Sequence, residues 1–320
     1  MRAWTMPDSD DCLHMSATPA RTLSPVTQGL AWGLLAAAIW TVYSVLARLG
    51  IKSGLSPLDM TLLRFTPGAL VMLPFVWHWG LRDLGGIGWA RGAALAALSG
   101  PLFSLLMMTG FAYAPLAHGA VIAPACQMLT GIGLSAWLAR APVTRETLFG
   151  AAFVLLGLLF MGGDAWLQGG GGAVLLGDVL FALAGCSWGL FGALSRRWQV
   201  DALRVTGVAV VLAFASFAPF YALVADASGL RAAAPGFVAM QAVAHGLGAG
   251  LVAVLAYSRA AVLLGPGRAA FFGAMVPGAA ALLAIPVLGE IPTGLQVAGL
   301  LSVIAGLLLA FGAVRLLLRR

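Results

Sequence analysis

The chain has 320 residues, 61% of them hydrophobic and only 9% charged, with a mean hydropathy of +0.98. Soluble domains carry about 45–50% apolar and about 25% charged residues, so composition excludes a soluble fold of this size and makes the lipid bilayer the solvent. The net charge of +7 does not indicate nucleic acid, because the basic residues stand singly or in pairs at the ends of apolar runs rather than on one patch or stripe.

Residues 1–27 form a polar tail holding Asp8, Asp10 and Asp11. It lacks the charged start, apolar stretch and cleavage site of a signal peptide and is expected to be disordered and cytoplasmic. Ten apolar runs follow, at 29–49, 60–77, 92–112, 116–138, 147–163, 174–194, 206–224, 236–256, 269–287 and 295–314. A spanning helix needs about 20 apolar residues. Strands of a membrane barrel would be about ten residues long with alternating polarity, and no alternation is present. The expected fold is therefore all-α and integral to the membrane, with ten transmembrane helices and a basic end at 316–320. The fifth run is short, and only Tyr113–Pro115 separates the third from the fourth.

Orientation follows from the basic residues. With the amino terminus in the cytoplasm, Arg48, Lys52 and Arg231 fall outside and Arg64 lies within the second span. The remaining 14 of the 18 basic residues fall inside. Such an asymmetry obeys the positive-inside rule and places both termini in the cytoplasm, with the cell (inner) membrane as the expected location.

The chain also repeats itself. Trp40 and Trp188 occupy similar runs 148 residues apart, and Thr144, Gly150 and Gly157 recur 149 residues later as Thr293, Gly299 and Gly306. The halves, 28–165 and 173–315, thus hold five spans each. An odd number of spans inserts the second half upside down, so two inverted five-helix repeats around a central cavity are expected.

Several of these residues carry a resemblance. Trp40 marks the first span, and Trp188 the sixth, with Ser195-Arg196-Arg197 after it. Leu63-Arg64-Phe65 opens the second span, and a run from Ala114 to Ala125 opens the fourth. The chain closes on Pro277, Leu288-Gly289-Glu290, Pro292-Thr293, Gly299 and Gly306. In this order and spacing, over residues 28–315, the chain resembles the EamA family of the drug/metabolite transporter superfamily. The resemblance implies secondary transport, usually export, of metabolites, amino acids or drugs, in many cases coupled to an ion gradient. It implies no cofactor and no enzyme activity. Glu290 is expected to cap the corner between the last two helices; the position 149 residues earlier is Ala141, a departure from the pattern in the first half.

Substrate-binding candidates come from polar and aromatic side chains inside spans. Trp40 and Trp188 alone among the tryptophans sit well inside spans, either as core fillers where the halves meet or as cavity lining for an apolar or cationic substrate. Trp40, Tyr43 and Ser44 share one helix face by their i, i+3, i+4 spacing. Gln241 and His245 share a face of the eighth span, where polar groups meet protein or water rather than lipid. An interhelical hydrogen bond is the equal alternative. Gly246, Gly248 and Gly250 after them permit close packing. His118 lies near the outer end of the fourth span, where it could titrate or be hydrogen-bonded; Gln127 lies on the opposite face.

Arg64 is expected to snorkel as a structural anchor, with carboxylate binding as the sharper reading. Pro101, Pro124 and Pro277 should bend or interrupt their helices, and Phe271 and Phe272 form either packing or a gate. The acidic residues fall in the tail, in loops or at span ends, which argues against a carboxylate-based coupling site; coupling through histidine stays open. There is no HExxH or Walker A motif and no metal-ligand spacing of Cys12, Cys126 and Cys186. The expected partners are a small-molecule substrate, the lipid bilayer and, where transport is coupled, an ion. An importer of the same architecture, a lipid-modifying membrane enzyme and a scaffold subunit are the competing readings.

Overall fold

The computed structural model describes residues 24–139, 143–167 and 171–310. The expectations for the first 23 residues with Cys12, for Ala141 and for 316–320 lie outside them. The described residues form ten apolar helices: α1 Pro25–Lys52, α2 Pro57–Trp79, α3 Trp89–Tyr113, α4 Leu116–Ala139, α5 Arg145–Leu167, α6 Gly171–Arg197, α7 Ala202–Val224, α8 Pro235–Leu264, α9 Pro266–Leu288 and α10 Gly294–Ala310. Nine are long and apolar enough to cross a membrane, and the described part of α10 is a shorter apolar helix.

The helices overrun the apolar runs because capping chemistry starts them before hydropathy does. Ser24 accepts a hydrogen bond from the Thr27 amide, with Pro25 at the first helical position. Ser56 and Asp59 form a reciprocal capping box around Pro57 at the start of α2, satisfying two orphan amides at once.

Two helices are irregular. α3 breaks at Gly100 (φ −94°, ψ −125°), and Pro101 restarts it, as expected for a proline without an amide hydrogen. α4 and α9 remain helical through Pro124 and Pro277. In α8, Val243–Val252 is wound as a π-helix, a rare form found often at functional sites.

Polar side chains tie the helices together at both ends of the bundle. At the end remote from Pro25, Lys52 donates to the Leu288 carbonyl (3.0 Å) and Tyr221 donates to Asp59 (2.5 Å). At the other end Arg204 donates to the Gly85 carbonyl (2.7 Å), and the Arg91 guanidinium lies over the Trp198 ring.

Helix neighbours follow a regular scheme. α2 packs on α7 and α5 on α10, while α1 packs on α8 and α9, and α6 on α3 and α4. Exchanging each helix with the one five places on maps this scheme onto itself. The α5–α10 contact shows the same exchange at atomic detail. A Cβ on Gly150 would sit 2.6 Å from the Gly306 carbonyl oxygen, and one on Gly306 would sit 2.6 Å from the Gly150 oxygen; Gly157 and Gly299 meet likewise at 2.8 and 3.1 Å. Numbers rise along one helix as they fall along the other, so the two run antiparallel. Small residues are what allow such contact in lipid, where apolar side chains gain nothing from mere association.

Gly150→Leu should therefore separate α5 from α10 at a cost of about 1–3 kcal/mol or more, because the obstructing atoms are backbone and cannot swing aside. Gly162→Ala, on the same helix with nothing within 4 Å of its Cβ, should be near neutral. Melting temperatures in detergent check the pair; equal values would refute the packing account.

Candidate substrate-binding site

A chamber of about 50 Å³ lies where helices of both halves converge, lined among others by Arg64, Phe65, Ser99, Gly100, Trp188, Phe191, Thr206, Val210, Ala249 and Gly250. Its one charge is Arg64, and here the structure corrects the sequence reading. α2 begins at Pro57, which sets Arg64 about 10 Å along the helix. The residue is buried, with only 6% of its surface exposed.

The guanidinium Cζ lies 5.0 Å from the Tyr43 ring centroid, 5.9 Å from Phe65 and 5.5 Å from Phe103. Among the described residues, Nε and Nη1 have no hydrogen-bond partner. Ring contacts are worth about 0.5–2 kcal/mol each, whereas stripping water from an ion costs several kcal/mol. The rings thus offset part of the burial cost and leave the N–H groups of Nε and Nη1 unsatisfied.

Around this cation the aromatic side chains form a chain of contacts. Phe103 meets Trp188 at 4.6 Å between centroids, Trp188 meets Phe191 at 5.3 Å, and Tyr43 meets His245 edge-on at 4.7 Å. His245 and Gln241 are both fully buried. Gln241 donates from Nε2 to the Leu46 carbonyl (3.0 Å), an interhelical bond; its Oε1, both His245 ring nitrogens and the Tyr43 hydroxyl have no partner among the described residues.

The close approach that creates this neighbourhood is made by the π-helical glycines. A Cβ on Gly246 would lie 2.8 Å from Pro67 and 3.1 Å from the Arg64 carbonyl oxygen. Gly250 faces the chamber itself. Alternating glycines were the sequence signal for this segment, but they do not announce a π turn.

The other sequence candidates divide. Trp188 lines the chamber, whereas Trp40 is not part of its lining, is half-buried and packs on Tyr257 at 5.4 Å. Ser44 donates its hydroxyl to the Trp40 carbonyl one turn back (2.9 Å), which occupies the proton that made it a candidate. Phe272 is buried against Gly33 and Phe271 is exposed. Gln127 is exposed, Cys126 is half-buried and Cys186 exposed.

His118 belongs to a separate site, and it is not partly wet but 1% exposed. Its Nδ1 meets Asp178 Oδ1 at 2.8 Å and its Nε2 meets Asp164 Oδ2 at 3.3 Å. Gln296 donates to Asp164 Oδ2 (2.7 Å) and Thr293 to Asp164 Oδ1 (2.5 Å). A cleft of about 250 Å³ opens beside this cluster, at the end of the bundle remote from Pro25. The carboxylates lie toward span ends, and Asp59, Asp164 and Asp178 are in addition buried and hydrogen-bonded there, which position along the chain did not show. One readable signal for the cluster was Thr293-x-x-Gln296, a capping box at the start of α10.

Glu290 also departs from expectation. Rather than capping the corner it sits on, it reaches α4 and accepts from the Leu116 amide (2.9 Å), while its other oxygen pairs with Arg48 Nε (2.8 Å). Arg48 further donates to the Phe111 carbonyl. One carboxylate thus joins α1, the start of α4 and the α9–α10 corner.

Ten apolar helices in two five-helix halves, enclosing a chamber rimmed by both, define a polytopic helical membrane protein. The EamA-like transporter family model matches twice, over residues 27–163 and 175–312. The chain belongs to that family and is a membrane transporter of the drug/metabolite type. No curated protein matches it. One solved crystal structure, described only as that of a protein, is similar over 93% of this chain and 99% of its own, with a TM-score of 0.60 and 20% identity; at that identity the likeness shows the fold alone.

Proposed function

We propose that this transporter is a secondary exporter of small metabolites, amino acids or drug-like compounds, working by alternating access of an inverted repeat. The observation that carries the reading is the chamber, whose lining comes from α2 and α3 of one half and α6, α7 and α8 of the other. The antiparallel, reciprocal glycine contacts between α5 and α10 are what a two-fold axis in the membrane plane produces. Sites for drug-sized ligands run to about 300–1,000 Å³, far above the present chamber, so cargo enters only when the halves part. Trp188 and Tyr43 then bound the cargo, with His245 and Gln241 behind them. Export is the usual direction in the family, and the arginine distribution favours cytoplasmic termini in the cell membrane.

The test is flux. Everted vesicles containing the protein, energised by an ion gradient without nucleotide, should accumulate a labelled member of a metabolite and dye panel above vesicles lacking it. Accumulation that depends on ATP and persists after the gradient is collapsed would refute the secondary mechanism. A reporter at Arg320 active only outside the cytoplasm would refute the orientation.

A further inference from the structure

We propose that Arg64 anchors the carboxylate of the cargo, so that the substrate class is small monocarboxylic acids with a flat apolar body. The inference rests on the chamber being the transport site. Every buried acid in the described residues is already engaged elsewhere. Asp59 accepts from Tyr221 on one oxygen and from the Ser56 amide on the other. Asp164 and Asp178 are held by His118, with Thr293 and Gln296 on Asp164. Among the described residues no carboxylate pairs with Arg64, and its Nε and Nη1 lack any oxygen acceptor.

The aromatic rings around it stabilise the positive charge but offer no acceptor oxygen to the planar N–H fork. A carboxylate matches that fork in geometry and balances its single charge. A dianion would leave one negative charge buried and uncompensated, and a cationic cargo would meet a like charge.

The rest of the chamber specifies the body. Phe65, Trp188 and Phe191 line it together with Ala209, Val210 and Ala249. The two hydroxyls present are used by their own helices, Ser99 toward the Leu95 carbonyl (2.8 Å) and Thr206 toward Ala202 (2.7 Å). Polarity is therefore one-sided: an anionic head beside Arg64 and an apolar, stackable remainder against the rings.

The experiment uses the full-length protein in nanodiscs and three matched pairs: benzoate and benzamide, phenylacetate and phenylacetamide, indole-3-acetate and indole-3-acetamide. Calorimetry should show at least one acid binding about tenfold or more tighter than its amide, the margin of a charged over a neutral hydrogen-bond partner. Arg64→Met should abolish that margin. Its ligand-free melting temperature should not fall, because it removes a buried charge that lacks a partner; a structural anchor would show the opposite sign. Arg64→Lys should keep the preference for acid over amide but weaken acid binding about tenfold, since a point charge replaces the fork.

Amides binding as well as acids, no acid binding, an Arg64→Met protein that keeps the preference, or one that melts lower than the parent would each overturn the proposal. Counterflow of the labelled acid in proteoliposomes separates this inference from the transport reading. An acid that binds through Arg64 yet never crosses refutes transport and leaves the site. A neutral compound that crosses unimpaired in Arg64→Met refutes the site and leaves transport.

Discussion

Asp164→Leu is expected to remove about 3–5 kcal/mol of stability, enough to prevent recovery of a folded protein from the membrane. The magnitude follows from what the carboxylate holds. Thr293 and Gln296 both donate to it, and His118 Nε2 lies against its second oxygen. Leucine would leave these buried groups facing an apolar side chain, and each unsatisfied donor costs about 1–3 kcal/mol. It would also leave Asp178 and His118 without their third partner. Asp164→Asn keeps an acceptor oxygen and should cost less than half as much. Fluorescence-detected gel filtration after a temperature ramp distinguishes the outcomes. A leucine variant that melts within a degree or two of the parent would show the cluster to be dispensable.

Trp188→Ala is expected to reduce transport about tenfold or more with membrane abundance nearly normal, whereas Trp40→Ala should lower the melting temperature and leave transport nearly unchanged. The two residues are related by the internal repeat and by sequence alone are indistinguishable. The structure separates them: Trp188 lines the chamber and stacks between Phe103 and Phe191, while Trp40 packs outside it on Tyr257. A stacking contact is worth about 0.5–1.5 kcal/mol beyond its buried area, so the loss of two at the binding surface amounts to roughly a tenfold or greater effect. The check is flux normalised to protein in the membrane, measured beside thermal stability for both variants. Loss of transport in Trp40→Ala with unchanged stability would place that ring at the cargo instead and sink the distinction.

Much of this molecule is decided one helix at a time. Whether a segment enters the bilayer depends on its summed transfer energy over about 20 residues, a local property. The apolar runs thus named the helices in order, including the break at Pro101 and the short connection after the third span, which is Ala114–Pro115 because Tyr113 still belongs to α3. The repeat was equally legible, because Gly150, Gly157, Gly299 and Gly306 mark a face that only glycine can bring so close. Span ends were less legible, since hydrogen-bond caps such as Ser56–Asp59 extend a helix past the point where hydropathy fades.

What the sequence could not decide is which polar side chains share one environment. Arg64 and Tyr43 come from different helices, and so do His118, Asp164 and Asp178, the last two on opposite sides of the junction between the halves. Near a span end an acid reads as solvated, because water is the cheapest partner locally available. Only packing removes the water and substitutes His118, Thr293 and Gln296. Conversely, Arg64 reads as a snorkelling anchor until α2 is seen to begin early and turn it inward. Helix identity is a transfer energy between chain and lipid, set by composition over a short window. The burial and pairing of charge is an energy between helices, and it exists only once the two halves have closed on each other.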